Sequence, residues 1–168
     1  MCRGKSVSDS YYDTAQICLN GHVINTMARD YPQSNQKHCS KCGAQSITGC
    51  PACGSTIRGY YHVPGVFGGS RYIRPGYCHD CGKPYPWTIA SLEAARELAD
   101  ELDGLSSEER KQLKDSFPDL VKSTPKTALA ETRFKKLMKK AGVEAYGGMK
   151  SILIDVVSEA VKKSLFGP

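Results

Sequence analysis

The sequence predicts a small α+β protein, in which short cysteine-rich β-hairpins are followed by an all-α region of about four helices. Two observations lead to this prediction. Before residue 88, cysteines recur in closely spaced pairs, and short β-prone runs flank them at residues 16–19, 22–26, 46–48 and 57–63. After residue 87 there are no cysteines or histidines, and apolar residues recur every three or four positions, as in amphipathic helices.

Four half-sites in the cysteine-rich part offer ligands for metal: Cys18/His22, Cys39/Cys42, Cys50/Cys53 and Cys78/Cys81. Three have the C-x2-C spacing, which lets two thiolates on one tight turn reach the same ion, and each is followed by a glycine that can adopt positive φ. The complete set satisfies two tetrahedral zinc ions. The half-sites can pair sequentially, as a cross-brace or nested. We favour sequential pairing, which forms two zinc ribbons in tandem.

A disulfide framework is the main alternative for so many cysteines, but it requires an oxidising compartment. Residues 1–10 are polar and lack the apolar stretch of a signal peptide, so we expect a cytoplasmic protein whose thiols stay reduced. A redox role is also less favoured, because no βαβ pattern surrounds the C-x2-C pairs. Cys2 is assigned no role. His38, His62 and His79 are not expected to be ligands, because the ligand count is complete without them.

The segment between the third and fourth half-sites combines aromatic and basic residues with glycines, a composition typical of surfaces that stack unpaired bases or dock peptides. The favoured interpretation is structural, because a ribbon has little apolar volume and its tyrosines and phenylalanine would cover the zinc sites. Under the second interpretation, the candidate binding residues are Arg58, Tyr60, Tyr61, Phe67, Arg71, Tyr72 and Arg74.

Capping and terminating residues predict the first two helices. Thr88 can cap a helix that ends at Gly104. Ser106 and Glu109 have the spacing of a capping box, which predicts a second, short helix ending at Pro118.

The third and fourth helices are predicted by their apolar stripes. Thr124 and Pro125 begin the third helix, and Gly142 follows its end. The fourth is the most periodic, and its stripe consists of Met149, Ile152, Leu153, Val156, Val157, Ala160, Val161 and Leu165. Its polar face is not strongly basic, so packing within a bundle or a dimer is favoured over a position on a membrane surface. No apolar run approaches the roughly 18 residues of a membrane span.

The third helix also concentrates positive charge, on Arg133, Lys135, Lys136, Lys139 and Lys140. These cations would suit an acidic partner or phosphates. A solvated helix C-terminus is the favoured interpretation, because cations there stabilise the negative end of the helix dipole.

Several sequence segments resemble a family. They are YDTAQICLNGHVIN at 12–25, CxxCG at 39–43, CPxCG at 50–54, RGYYHVPGVFGG at 58–69 and CxxCGxPYPW at 78–87. Over residues 12–87 the chain resembles an uncharacterised bacterial zinc-ribbon family, a domain of unknown function. The resemblance implies a bacterial, cytoplasmic protein with a double ribbon, and it brings no assigned activity. The part from Ser91 onward looks like the helical tail that such proteins often carry.

These patterns divide the chain into three parts: a tail at residues 1–11 that we expect to be disordered, a double zinc-ribbon module at 12–87, and a helical oligomerisation or docking region at 88–168. The formal net charge is +6. Two bound zinc ions and their thiolates would lower it to about +3, so charge gives only weak support for a nucleic-acid partner.

The favoured function is that of a non-catalytic adaptor or regulatory protein that binds two zinc ions and mediates protein–protein contacts. We expect no catalytic activity, because zinc claims every cysteine after Cys2 and neither closed site keeps an open coordination position. One alternative is a nucleic-acid-binding regulator that uses the aromatic and basic residues between the third and fourth half-sites. A less favoured one is a membrane-directed effector that acts through the final helix.

Overall fold

The chain divides into two compact units between Trp87 and Thr88. The computed structural model describes residues 10–66 and 71–167. Phe67 and Cys2 therefore lie outside the described residues. Strands lie in the first unit, and the second is helical, which confirms the predicted α+β fold class.

The described residues of the first unit form short antiparallel strands: β1 (Tyr11–Thr14), β2 (Gln16–Cys18), β3 (Val23–Asn25), β4 (Ser46–Ile47) and β5 (Arg58–His62). Strand β2 lies between β3 and β4 in one sheet, and β1 pairs with β5 in the other. Each predicted β-prone run contains one of the last four strands. Strand β1 has no counterpart among those runs, and it begins one residue before the predicted start of the module.

A small apolar cluster stabilises the first unit and includes two of the candidate ligands, Cys50 and Cys78. Tyr85 stacks on Trp87 with ring centroids 4.7 Å apart. The Trp87 indole N–H donates a hydrogen bond to the Pro75 carbonyl at 2.9 Å. Strand β2 contributes to the same core as the later half-sites, so the two ribbons share apolar contacts. The cluster consists of Ala15, Ile17, Cys50, Ile57, Cys78, Tyr85 and Trp87.

The described residues contain five helices, where about four are predicted: α1 (Pro86–Asp100), α2 (Ser107–Val121), α3 (Thr127–Ala141), α4 (Val143–Leu153) and α5 (Glu159–Phe166). The predicted capping box of α2 is present, because the Ser106 hydroxyl accepts from the Glu109 N–H at 3.3 Å and the Glu109 carboxylate accepts from the Ser106 N–H at 2.9 Å. In the described part of the chain, no helix combines the length and apolar character that a membrane span needs.

The predicted end of the second helix at Pro118 is wrong, because α2 continues through Pro118 to Val121. A proline inside a helix removes one hydrogen bond and costs roughly 3 kcal/mol. Phe117, Leu120 and Val121 are buried in this turn, and the Lys122 N–H donates to the Pro118 carbonyl at 3.0 Å. Burial of these apolar side chains outweighs the local cost of the proline.

The prediction of one long final helix is also wrong, because α4 ends at Leu153 and α5 begins at Glu159. Ser158 caps α5, and its hydroxyl accepts from the Val161 N–H at 3.4 Å. The chain therefore turns in the middle of the apolar stripe. Most of the stripe is buried within the helical unit, at Met149, Leu153, Val156, Val157, Val161 and Leu165.

Replacing Gly147 with Ala is expected to stabilise the helical unit by about 0.4–1 kcal/mol. Gly147 lies inside α4, and an added Cβ would meet no atom within 4 Å. Alanine would reduce the conformational entropy that the unfolded chain loses on folding. Gly148→Ala is the matched control, because its Cβ would approach Leu98 Cδ2 at 3.2 Å and offset that gain. Thermal unfolding followed by far-UV circular dichroism measures both. An unchanged or lowered melting temperature for Gly147→Ala would contradict this account.

Candidate metal centres

The fold brings the eight predicted ligands into two groups of four. Within each group, the sulfur and nitrogen atoms that could bind metal all lie within 4.8 Å of one another. This is the sequential pairing, and the cross-brace and nested pairings do not occur. The first tetrad is Cys18, His22, Cys39 and Cys42, and the second tetrad is Cys50, Cys53, Cys78 and Cys81.

Each C-x2-C half-site is a tight turn that the following glycine closes. The glycine N–H donates to the carbonyl of the first cysteine, at 2.8 Å in two turns and 3.0 Å in the third. These glycines have φ between 69° and 76°, a region that side chains with a Cβ rarely adopt. They are Gly43, Gly54 and Gly82, so the predicted role of the glycines is confirmed. Each of these turns therefore places its two sulfur atoms within reach of one metal ion.

The spacing of the donor atoms matches a tetrahedron around a single ion. Sulfur atoms lie 3.8 Å apart between Cys18 and Cys42, and 3.8 Å apart between Cys50 and Cys81. The Cys18 sulfur lies 3.5 Å from His22 Nδ1. Zinc bonds of about 2.3 Å to sulfur and 2.0–2.1 Å to nitrogen give tetrahedral edges of about 3.8 Å and 3.5 Å. The sulfurs are far beyond the disulfide length of about 2.05 Å, and each tetrad could therefore bind one metal ion.

Burial and hydrogen bonding differ among the thiols. The first cysteine of every half-site is buried, whereas the second cysteine of each C-x2-C pair is exposed. Backbone hydrogen bonds from Cys81 and Asp80 lower the pKa of Cys78 to about 6, which favours the thiolate that binds metal. Burial raises the pKa of Cys18, and its sulfur also accepts from the His22 N–H at 3.2 Å. A cation would favour ionisation of this thiol as well.

A groove beside strand β5 contains several of the predicted binding residues. It has a volume of about 590 Å³, and its lining includes the exposed residues Arg58, Tyr61 and Arg71. Tyr12, which no sequence pattern indicates, joins them because β1 pairs with β5 and sets Tyr12 opposite Tyr61. The two rings have centroids 4.6 Å apart. We call this surface the β5 groove.

The remaining predicted binding residues divide between this groove and the interior of the module. Tyr60 is half-buried, lines the β5 groove and contacts the His62 ring edge-on. Tyr72 lines the same groove, packs against the apolar cluster and donates its hydroxyl hydrogen to the Arg58 carbonyl at 2.8 Å. Burial raises the pKa of Tyr72 well above its usual value. Phe67 lies outside the described residues.

Arg74 makes its contacts within the module. Its guanidinium donates to the Gly21 carbonyl and lies over the Trp87 ring, 5.7 Å from the centroid. Arg74 thereby connects the turn of the first half-site to the apolar cluster.

Fold and site together define a protein with two ribbon-type candidate metal centres in its first unit and a helical second unit. The chain belongs to a bacterial family described as "Uncharacterized protein conserved in bacteria (DUF2321)", which matches residues 11–165. The match extends past the predicted 12–87 and includes nearly all of the helical unit. Comparisons with curated proteins and with solved structures found no match.

Proposed function

We propose that this chain is a non-catalytic, zinc-binding adaptor that acts in the cytoplasm and holds a partner protein in the β5 groove. The donor sets support zinc, because four thiolates, or three thiolates and one imidazole, in tetrahedral spacing suit this ion. A reducing cytoplasm keeps such thiols available. Every described cysteine belongs to a tetrad, so zinc bound there would leave none of them as a nucleophile.

The proposal of a protein partner rests on the β5 groove. Tyr12 and Tyr61 are 48% and 46% exposed, although aromatic rings of this size are usually better buried. Tyrosine and arginine are enriched among the residues that contribute most to protein interfaces. Arg58 and Arg71 give the groove positive charge, which suits an acidic segment of a partner. We further propose that the helical unit docks or oligomerises.

Nucleic acid is the second candidate ligand, and the same exposed aromatic and basic residues favour it. Single strands bind through base stacking on aromatic rings and through phosphate contacts. Two observations make this candidate weaker. Tyr12 and Tyr61 contact each other, and the Arg58 guanidinium lies over the Tyr12 ring at 4.9 Å. The exposed rings therefore already have stacking partners within the module.

Combining Tyr61→Ala with Arg71→Glu is expected to weaken partner binding at least about 10-fold while zinc content stays unchanged. Both side chains are exposed, and neither belongs to a tetrad. Arg96→Glu on α1 is the matched control, because it changes the charge equally on an exposed residue of the other unit that lies outside the basic cluster of α3. Quantitative affinity purification with the three proteins would identify the partner. Calorimetry with purified components would then measure its affinity.

Other substitutions in the β5 groove test the alternative. The wild-type chain is expected to bind RNA or DNA oligomers only weakly at about 150 mM salt. If it reads single strands, Tyr61→Ala alone should cost about 1–3 kcal/mol of stacking. Sub-micromolar oligonucleotide binding that is lost in an Arg58→Glu, Arg71→Glu variant with intact zinc would contradict the adaptor proposal. Arg74 is left unchanged because it holds the first turn to the apolar cluster.

A further inference from the structure

A third group of metal-binding side chains lies outside both tetrads. Strand β1 supplies Asp13, strand β5 supplies His62, and Asp30 follows β3 in the chain. One donor atom of each lies within 4.8 Å of the others. His62 Nε2 is 3.9 Å from Asp13 Oδ2 and 3.8 Å from Asp30 Oδ2, too far for hydrogen bonds, which span about 2.7–3.2 Å.

Among the described residues, the nitrogen at the centre of this group has no hydrogen-bond partner. His62 Nε2 is buried and makes no hydrogen bond to any described residue. The ring is nevertheless firmly held, because Tyr11 stacks on it at 4.7 Å and Tyr60 meets its edge at 4.9 Å. Buried polar atoms without partners are rare, and each needs an explanation such as a bound ion. Here the unsatisfied atom faces two carboxylate oxygens.

Both carboxylates are oriented by hydrogen bonds, and one of these comes from within the group, because the Asp30 N–H donates to Asp13 Oδ2 at 3.3 Å. Asp13 has a fully buried side chain, and its Oδ1 accepts from the N–H groups of Thr14 at 2.5 Å and Arg29 at 3.1 Å. The Tyr11 hydroxyl donates to Asp30 Oδ2 at 2.5 Å. The same Oδ2 lies 3.8 Å from His62 Nε2, and the Arg29 side chain pairs with the other oxygen, Asp30 Oδ1, at 3.3 Å. Outer contacts of this kind hold metal ligands in place.

We propose that Asp13, Asp30 and His62 form a third metal site, which takes a divalent first-row transition ion. Three atoms with these separations lie about 2.0–2.5 Å from a common centre, within the range of metal bonds to oxygen and nitrogen. Two carboxylates and a neutral imidazole are harder donors than the thiolates of the tetrads, and they suit ions such as Mn²⁺. Three protein ligands leave positions for water, and His62 also lines the β5 groove.

Mn²⁺ is the probe. Thiolate sites prefer zinc to Mn²⁺, so added Mn²⁺ should leave the zinc ions of the tetrads in place. The full chain, prepared with two zinc equivalents, is titrated with Mn²⁺ while electron paramagnetic resonance reports the free ion. We expect one bound equivalent, which is lost in Asp30→Asn and in His62→Gln with zinc retained. Tyr11→Phe should weaken binding about 10-fold, because it removes an outer hydrogen bond. Asp115→Asn, an exposed residue of α2, is the charge-matched control and should bind as the wild type does.

Two results would overturn the proposal. The first is that the wild-type chain binds no Mn²⁺, which would show that the three side chains do not form a site for an ion of this class. The second is equal binding by the wild type, Asp30→Asn and His62→Gln, which would place the ion elsewhere. If one variant fails to retain two zinc ions, the other decides the outcome.

Discussion

Replacement of Cys50 by Ser is expected to remove one zinc equivalent and unfold the part of the first unit around the second tetrad. A structural zinc ion contributes an apparent binding free energy of about 10–16 kcal/mol, comparable with the whole net stability of a domain. Cys50 is also buried in the apolar cluster beside Trp87, the single tryptophan of the chain. Trp87 emission should therefore shift to the red. The helices should remain visible by circular dichroism.

Two further substitutions make this experiment specific. Cys42→Ser should also remove one zinc equivalent, but Cys42 is exposed and outside the apolar cluster, so Trp87 emission should change less. Cys2→Ser should retain the wild-type zinc content. A Cys50→Ser protein that keeps its full zinc content and its Trp87 emission would be inconsistent with a metal-stabilised second tetrad. Loss of the helical signal in the same transition would show that the two units unfold together.

Gly59→Ala should destabilise the first unit by about 3 kcal/mol or more. Gly59 is buried in β5. An added Cβ would collide with the Thr26 carbonyl oxygen and would lie 2.7 Å from the Thr14 carbonyl carbon. All of these neighbours are backbone atoms, and the Tyr60 N–H donates to the same Thr26 carbonyl at 2.8 Å. The strands would have to separate, and this hydrogen bond would be lost.

Urea unfolding followed by Trp87 fluorescence measures this effect. Gly65→Ala is the control: its Cβ would meet no atom within 4 Å, so only its φ of +76° adds strain, about 1–2 kcal/mol. If Gly59→Ala were no more destabilising than Gly65→Ala, the close contact between β5 and its neighbouring backbone would not limit stability.

The candidate tetrads were accessible from sequence because their chemistry is encoded locally. Two cysteines separated by two residues must lie on one turn, and the next glycine supplies the conformation that closes it. The helices α1 to α3 were accessible through their apolar spacing, and the capping box gave the start of α2. Two other predicted boundaries were wrong: α1 begins at Pro86 and ends at Asp100, so Thr88 does not cap it and Gly104 does not end it, and α3 begins at Thr127 rather than at Thr124. Predictions from local sequence patterns were wrong where the burial of apolar side chains opposed them. Pro118 remains inside α2, and the final stripe is divided by the turn before Ser158.

The β5 groove and the third cluster were not accessible in this way. Asp13, Asp30 and His62 are far apart in the chain and have no spacing motif. His62 meets Asp13 because β1 pairs with β5, and β1 is a short strand with a weak sequence signal. Asp30 meets Asp13 because the turn after β3 donates its Arg29 and Asp30 N–H groups to the Asp13 carboxylate. The pairing of β1 with β5 also brings Tyr12 to Tyr61 in the groove. A stronger alternation of apolar and polar residues in β1 would have been the sequence signal for the β5 groove and for the third cluster.

The sequence by itself determined the fold class, the eight candidate ligands and the turns that present them, because these depend on residues only a few positions apart. Tertiary structure alone decided which apolar residues the two ribbons share, where the final helix breaks, and that an aspartate on β1 faces a histidine on β5. Such contacts between distant residues follow from strand register and from the burial of apolar surface across the whole unit. No local spacing of residues specifies them.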